Sequence, residues 1–384
     1  MSAAKTLEPN PHVTLTLDEL AKMQAVAGIH LTFSLTLACP LKCAHCIVEA
    51  GPELRKTTMP VDVARHYAEQ MPELFDYGIR IVSFTGGEPL LAREQLTVLS
   101  NAASRAGMTT GMVTAAHWAT SEDSAKKIVE SLPGIDVWDV SIDSYHEEFL
   151  SFDRVRTAYQ AAKTIGKRSI LRFTHHDPLT SSDKRILDFI KGFAEEGDIC
   201  SQRIRSAGRA SDLPVIEAHD EPTFAKPCWT KGLVIRYDGS MAPCCISLVE
   251  DRQHPFQFGD ARTRPLTEIH ADYMSHPLLQ MIRVLGFGEV MRWLKEAGMD
   301  EHELGPLPQD VCDLCPRVVS NSRWAPYLTN RAAEPQNRLR IAILASRMLE
   351  EHTMLQRTVR ELESQADQIE GFELVAALAA ETEA

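Results

Sequence analysis

The chain is organised around the stretch Leu31-Thr-Phe-Ser-Leu-Thr-Leu-Ala-Cys39-Pro-Leu-Lys-Cys43-Ala-His-Cys46. Its first seven residues alternate a leucine or phenylalanine with a threonine or serine, and this period of two predicts a β-strand. Its last eight residues contain three cysteines with the spacing C-x3-C-x2-C. We therefore expect the cysteines on a loop at the carboxyl end of a strand, where open α/β folds place their chemistry.

These cysteines predict a metal centre, because thiolates are soft ligands that suit zinc or iron–sulfur clusters. Three thiolates on one short loop can hold three irons of a [4Fe–4S] cube and leave the fourth iron open. A zinc site would require a fourth nearby Cys or His, and His45 lies inside the loop rather than at ligand spacing. A set of buried thiols without a metal is the remaining alternative.

The loop resembles the signature of the radical S-adenosylmethionine (radical SAM) superfamily. The resemblance implies that Cys39, Cys43 and Cys46 hold a [4Fe–4S] cluster whose open iron is chelated by S-adenosylmethionine. In that family one electron from the cluster cleaves the cofactor, and the resulting 5′-deoxyadenosyl radical abstracts a hydrogen atom from the substrate. The resemblance also implies an electron donor such as flavodoxin or ferredoxin.

Composition excludes several classes of protein. The 384 residues are 44% apolar and 24% charged, which is ordinary for a globular protein of two or three domains. A net charge of −13 argues against a nucleic-acid partner. No stretch is long and apolar enough for a membrane span, and no signal peptide is seen. Nine cysteines in a non-secreted chain favour metal ligation in a reducing cytoplasm over disulfides.

Strands and helices alternate along the first half of the chain. A capping box predicts a short first helix from Thr16 to about Ala27. Further helices are predicted over 59–75, up to about 105, and over 120–132, 153–165 and 184–195. Strands are predicted over 31–37, 79–85, 108–114, 137–143 and 168–174, and from 203. This order predicts a parallel sheet of βαβ units, and it suits the partial (β/α)6 barrel that radical SAM enzymes share.

The exit of the second strand carries the segment Thr85-Gly86-Gly87-Glu88-Pro89. Glycines let backbone carbonyls approach a ligand closely, and carbonyls and a carboxylate can accept hydrogen bonds from an ammonium group. A tight turn is the alternative explanation. The segment resembles the glycine-rich motif with which the family binds the amino end of S-adenosylmethionine, so we expect Gly86, Gly87 and Glu88 at the cofactor.

Three further residues are candidates for the cofactor site. The fourth strand has a polar face formed by Asp139, Ser141 and Asp143, which predicts a polar interior. Ser141 resembles the family residue that contacts the cofactor, and Arg172 on the fifth strand is expected to meet its carboxylate. A structural hydrogen bond or internal salt bridge is the alternative for both. His45 stands where the family has an aromatic residue beside the adenine.

A second set of cysteines follows the barrel. Cys228, Gly239 and Cys244 have the spacing C-x10-G-x4-C, and Cys312 and Cys315 form a C-x2-C pair. The first pattern resembles the opening of the SPASM and twitch extensions of radical SAM enzymes. The residues between Cys228 and Cys244 predict a hairpin with an Asp-Gly turn. The four thiolates would complete one auxiliary [4Fe–4S] cluster, as in the single-cluster twitch form, or alternatively bind zinc.

The ligand next to the hairpin could be Cys244 or Cys245, and the spacing from Gly239 favours Cys244. The isolated Cys200 is expected in the core. We predict four regions: an amino-terminal tail and helix (1–28), the barrel (29–212), the auxiliary-cluster region (213–330) and a helical region (331–384). The last is predicted to be helical nearly to its end. Its apolar stripe can pack on its own chain, which we favour, or on another subunit.

The resemblance implies a radical SAM oxidoreductase that modifies a residue of a ribosomally made peptide by crosslinking, epimerisation or oxidation. The alternatives are oxidation or rearrangement of a small metabolite and, from another class, a non-catalytic iron–sulfur scaffold. Only about 28 residues precede the first strand, so we expect a separate leader-peptide-binding protein. No catalytic acid or base is assigned, although Asp143 and His146 lie near the end of the fourth strand.

Overall fold

The computed structural model describes residues 26–214, 227–228, 232–306, 308, 310–349 and 352–382. Residues 26–29 are helical, and the rest of the predicted amino-terminal helix lies outside the described residues. Residues 215–226, at the start of the predicted auxiliary-cluster region, also lie outside them.

Within the described residues, eight strands form one open sheet in the order β6-β5-β4-β3-β2-β1-β7-β8. The strands are β1 (His30–Ser34), β2 (Ile81–Thr85), β3 (Thr109–Thr114), β4 (Val137–Ile142), β5 (Arg168–His175), β6 (Ile199–Arg203), β7 (Leu233–Arg236) and β8 (Met241–Ala242). Strands β1 to β6 are parallel, which confirms the partial (β/α)6 barrel. The predicted start of β6 at Arg203 was wrong, because the exposed edge residues Ser201 and Gln202 break the apolar pattern.

Helices cover the outer side of the barrel sheet. They are α1 (Val61–Glu69), α2 (Met71–Tyr77), α3 (Arg93–Arg105), α4 (Glu122–Glu130), α5 (Ser144–Glu147), α6 (Phe152–Thr164) and α7 (Ser181–Lys191). The single helix predicted over 59–75 is divided at Gln70. The reason is Pro72, which lacks a backbone N–H and is tolerated only in the first turn of a helix.

The two faces of the sheet differ in polarity, as the fourth strand predicted. Phe33, Phe84 and Trp138 are fully buried on the face that the helices cover. On the opposite face Ser34 lies beside Thr85, and Ser141 lies beside Arg172. Side chains at paired positions of parallel strands point to the same side, so the interior face is polar.

The predicted hairpin between Cys228 and Cys244 is confirmed as β7 and β8, which pair antiparallel around Asp238 and Gly239. Gly239 has a φ of 82°, a conformation that favours glycine in such turns. The sequence did not predict that β7 also pairs with β1 in parallel. The hairpin is therefore an extension of the barrel sheet itself.

The remaining helices are α8 (Leu266–Ser275), α9 (Pro277–Leu285), α10 (Phe287–Glu296), α11 (Val311–Val319), α12 (Trp324–Ala333), α13 (Pro335–Leu349), α14 (His352–Leu362) and α15 (Phe372–Glu381). Gly286, whose φ is 72°, separates α9 from α10. The continuous helix predicted after Pro335 was wrong, since it consists of three helices. Three residues of the apolar stripe, Ile341, Leu355 and Leu362, are buried, and α13 contacts α9, so the stripe packs on its own chain. None of the described helices combines the length and apolarity that a membrane crossing requires.

Candidate active site

The three-cysteine loop begins directly after β1 and is fixed by backbone hydrogen bonds. The N–H of Cys39 donates to the carbonyl of Gly51 at 3.1 Å, and the N–H of Gly51 donates to Leu37 at 3.1 Å. Within the loop, the N–H of Cys46 donates to the carbonyl of Cys43 at 3.2 Å. Hydrogen bonds between its own residues therefore hold the loop in place. It lies at the carboxyl end of the strand, as predicted.

The thiols of this loop lie close together and are largely shielded from water. Burial raises the pKa of Cys39 to about 12 and raises the pKa of Cys43 further. Charges on Cys39 and Cys46 would add to the rise at Cys43, which reflects the closeness of the three groups. Thiols in such surroundings become thiolates when a metal centre supplies positive charge, so the donor set fits an iron–sulfur cluster.

The Gly86-Gly87 segment packs against the backbone that leads into this loop. A Cβ on Gly86 would lie 2.2 Å from the carbonyl oxygen of Thr36, and one on Gly87 would lie 2.3 Å from that of Ala38. The N–H of Gly87 donates to Thr36 at 2.5 Å. The glycines are therefore required for close contact between two backbone segments, a reason that the sequence argument did not identify.

The side chain of Glu88 forms hydrogen bonds within the chain. It is fully buried and accepts hydrogen bonds from the hydroxyl of Thr114 at 3.0 and 3.1 Å and from the N–H of Ala115 at 3.0 Å. It also accepts from the N–H of Leu90 at 3.3 Å. The carboxylate therefore links the ends of β2 and β3, and its use as an acceptor for the cofactor stays a prediction.

Arg172 and Ser141 are neighbours in register on β5 and β4. The guanidinium of Arg172 forms a two-point ion pair with Asp139, in which Nε lies 3.1 Å from Oδ1, and it also donates to Gln202 at 3.0 Å. The internal salt bridge that was the alternative for Arg172 is therefore present, and its contact with the cofactor carboxylate stays a prediction. Ser141 is half-buried on the polar face beside it.

His45 is held by groups at the end of β4. Its Nε2 lies 3.2 Å from Oδ2 of Asp143, the same oxygen that lies 2.7 Å from Nδ1 of His146. Its ring stacks on Tyr145 with centroids 4.8 Å apart. Although burial opposes ionisation, the two histidines hold the pKa of Asp143 well below its usual range, and the Asp143 charge raises the pKa of His146. The sequence analysis placed Asp143 and His146 near the end of this strand, but it did not predict their contact with His45.

Arg209 is a functional residue that the sequence analysis missed. Its Nε donates to the carbonyl of Cys43 at 3.0 Å, and its Nη2 donates to that of Ala50 at 2.9 Å. Its backbone N–H donates to the carbonyl of Cys46 at 3.1 Å. One side chain from the end of the barrel therefore clamps the three-cysteine loop, and no local pattern around Arg209 indicates this.

The four predicted cysteines of the second set converge although 87 positions separate the first from the last. Burial raises the pKa of Cys315 well above its usual range, and the nearby Cys244, Cys228 and Cys312 thiols add to the rise. Cys312 is affected in the same way by Cys228 and Cys244. Cys244 therefore lies near Cys312 and Cys315, and its choice as the ligand stays a prediction. Cys245 and Cys200 instead lie near Arg172.

A third cluster of ligand atoms lies beside the three-cysteine loop. In the described part of the chain, the one group of three His, Cys, Asp or Glu residues whose ligand atoms all lie within 4.8 Å of one another is His45, Asp143 and His146. For the second cysteine set, zinc and a [4Fe–4S] cluster would use the same four thiolates, and metal analysis distinguishes them.

The loop that carries Cys244 depends on Arg236, which the sequence analysis also missed. This fully buried side chain donates to the carbonyls of Leu248 and Asp251, each at 2.9 Å, and to those of Met241 at 2.6 Å and Val249. Burial lowers its pKa to about 10. A single cation from β7 therefore satisfies the carbonyls of Leu248, Val249 and Asp251, which follow Cys244 by four to seven residues.

Two sequence families match the chain. Residues 33–189 match the radical SAM superfamily, and residues 228–285 match the iron–sulfur cluster-binding domain called SPASM. Together the two ranges cover just over half of the chain. The second match confirms the predicted extension.

The related proteins are similar over short segments. AlbA, an antilisterial bacteriocin subtilosin biosynthesis protein of Bacillus subtilis, is 40% identical over 60 residues, which are 16% of this chain and 12% of AlbA. The GTP 3′,8-cyclase of Tolumonas auensis is 31% identical over 80 residues, which are 21% of this chain and 23% of the cyclase. The chain thus spans less than a quarter of either relative's length in these matches.

Among solved structures, anSMEcpe with bound AdoMet has a TM-score of 0.48 and 13% identity, and the match covers 79% of this chain and 99% of that one. BtrN in complex with AdoMet and 2-DOIA has a TM-score of 0.37 and 16% identity, over 66% and 87% of the two chains. The family matches imply S-adenosylmethionine, a [4Fe–4S] cluster and additional iron–sulfur clusters as cofactors. The chain belongs to the radical SAM superfamily and carries a carboxyl-terminal SPASM extension.

Proposed function

We propose that this chain is a radical SAM oxidoreductase that modifies a residue of a ribosomally made peptide. In this proposal the cofactor-cleaving cluster is held by Cys39, Cys43 and Cys46, and an auxiliary cluster by Cys228, Cys244, Cys312 and Cys315. The observation that carries the proposal is the presence of two separate thiol sets, each with its thiols close together. One set lies on the loop after β1, and the other lies in the extension.

The peptide substrate is supported by the segment shared with AlbA, a protein named for bacteriocin biosynthesis. When bound, S-adenosylmethionine and its cluster supply a 5′-deoxyadenosyl radical that abstracts a hydrogen atom. An auxiliary cluster of four thiolates has no open iron and can accept an electron, so net oxidation becomes feasible. An electron donor such as flavodoxin or ferredoxin would serve as the external reductant.

The residues of the chain have three tasks in this chemistry. Gly86 and Gly87 let the exit of β2 lie against the cysteine loop, and Arg209 clamps that loop from the other side. Asp143 fixes the His45 ring beside the cluster-binding thiols. The buried loop restricts the access of water, which protects a reactive radical from side reactions.

The test is anaerobic reconstitution with S-adenosylmethionine and dithionite in the presence of a synthetic peptide from any short open reading frame that adjoins the gene. Release of 5′-deoxyadenosine and a mass change in the peptide are expected, and deuterium at the modified residue should appear in the released nucleoside. The triple variant C39A/C43A/C46A should release none. Nucleoside release by this variant would disprove the assignment of the radical cluster, and release by the native protein without peptide modification would disprove the peptide substrate.

A small-metabolite substrate is the second candidate, because a segment of 80 residues is 31% identical to a GTP 3′,8-cyclase. The same assay distinguishes the two, since deuterium would then come from a labelled nucleotide or sugar rather than from the peptide. A protein that binds iron but never releases 5′-deoxyadenosine would instead be a non-catalytic scaffold.

A further inference from the structure

Residues 204–212, which follow β6, link the two thiol sets. The N–H of Ile204 donates to the carbonyl of His175 at 2.8 Å, which fixes this segment to the end of β5. Four residues after Arg205, Arg209 clamps the three-cysteine loop. Arg205 itself points to the other thiol set. Its position is therefore set by the barrel, although its partner belongs to the extension.

The partner of Arg205 is Asp310, which precedes α11. Nη1 of Arg205 lies 3.0 Å from Oδ2 of Asp310. The other carboxylate oxygen, Oδ1, accepts hydrogen bonds from the N–H groups of Cys312 at 2.8 Å and Asp313 at 3.0 Å. Asp310 is thus the N-cap of the helix whose first turns carry Cys312 and Cys315, and a fixed charge pair stands beside two of the four thiols.

Solvent shields this charge pair only in part, since 33% of the Arg205 side chain and 24% of the Asp310 side chain are exposed. Charges in such places act on their neighbours more strongly than charges in water. Burial raises the pKa of Cys312 well above its usual range, and Asp310 adds to this rise while Arg205 opposes it. The two side chains therefore act in opposite directions on a negative charge at this sulfur.

We propose that Arg205 and Asp310 are positioning residues that shift the reduction potential of the auxiliary cluster in opposite directions. This inference rests on the proposed function, because it requires a cluster on the second thiol set. Reduction by one electron makes a cluster more negative. A neighbouring cation stabilises the reduced state and raises the potential, whereas a neighbouring anion lowers it.

The experiment uses the full-length chain with C39A/C43A/C46A, so that the auxiliary thiols are the sole cluster site under study. The probe is iron and sulfide, reconstituted anaerobically, and the potential is measured by redox titration followed by electron paramagnetic resonance. R205Q is expected to shift the potential to more negative values. D310N is expected to shift it to more positive values, because Asn retains an oxygen that can cap Cys312 but carries no charge.

Two further variants separate charge from structure. R205K retains the cation and should remain near the parent potential. R203Q removes an arginine two residues earlier, whose Nη1 is paired with Asp177 at 2.8 Å, and should leave the potential unchanged. Shifts of R205Q and D310N in the same direction, or no shift in either, would overturn the inference, as would the loss of iron from R205Q.

The outcome also distinguishes this inference from the function on which it rests. If the triple-cysteine parent binds no iron, the auxiliary cluster itself is refuted and the proposed function fails with it. If the parent binds a cluster whose potential does not respond to Arg205 and Asp310, only the electrostatic inference is refuted.

Discussion

The position that a Cβ atom would take on Gly86 lies 2.2 Å from the carbonyl oxygen of Thr36, three residues before the first cysteine. The contact joins the exit of β2 to the start of the cluster loop. The φ of Gly86 is 127°, a region in which a residue with a side chain is strained. Both backbone segments are held by neighbouring strands, so neither can move away without disturbing the sheet.

We predict that Gly86→Ala lowers the stability of the protein and its iron content. The cost should exceed the roughly 1–2 kcal/mol of a left-handed alanine, because a steric clash is added. Gly78→Ala is the matched control, since Gly78 has a φ of 126° and no atom lies within 4 Å of its added Cβ. Denaturant unfolding and iron analysis of both variants check this, and equal losses in the two would contradict it.

The second prediction concerns the metal of the extension. The variant C39A/C43A/C46A should retain about four irons per chain, the number in one cubane, because four other thiols remain. Iron analysis after anaerobic reconstitution measures this. Further replacement of Cys312 and Cys315 by Ala should remove the iron, whereas replacement of Cys245 should not. About one zinc per native chain, or no iron in the triple variant, would instead indicate a zinc-stapled extension.

The third prediction concerns Arg236. Arg236→Gln should lower the free energy of unfolding by about 3 kcal/mol or more, because several buried carbonyls lose a charged donor. It should also lower the iron bound in the extension, since the Cys244 loop loses its support. Arg252→Gln is the control, because Arg252 is more exposed and pairs with Asp238 and Glu250. If the two variants are equally stable, Arg236 does not organise the loop.

The fourth prediction is a pH dependence of stability that comes from His270. This residue is 1% exposed, and burial lowers its pKa to about 4, helped by the charge of Arg283. The unfolded chain takes up a proton on this ring near pH 6.5, whereas the folded protein does so only near pH 4. The contribution of the neutral His270 ring to stability is therefore fully present above pH 6.5 and is lost as the pH falls towards 4.

His270→Gln should remove this part of the acid sensitivity. Between pH 7 and pH 5 the native chain should lose about 2 kcal/mol more stability than the variant. Denaturant unfolding of both proteins at the two pH values measures the difference. Stability curves that run parallel with pH would show that His270 is not neutral and buried in the folded protein.

Features encoded by neighbouring residues were predicted well. The alternation from Leu31 to Leu37 and the cysteine spacing that follows predicted a strand with a metal-binding loop at its end. The order of the parallel strands and the hairpin before Cys244 also followed from local periodicity and turn residues. Such patterns are visible because the interacting groups lie within a few positions of one another.

The partners of the long polar side chains could not be predicted in this way. Glu88 is hydrogen-bonded to Thr114, 26 positions away, and Arg172 to Asp139, 33 positions away. The clamp by Arg209 spans 166 positions. Nothing local distinguishes these residues among the 40 lysines and arginines and 53 acidic residues of the chain.

The sequence alone determined the class of chemistry, because three thiols on one loop and four more at family spacing need no distant information. The tertiary structure decided which groups support those thiols. Only the packed sheet brings β7 beside β1, and only the end of the barrel brings Arg205 to Asp310. The physical reason is that a buried polar group must find a partner, and the fold determines which partners are within reach.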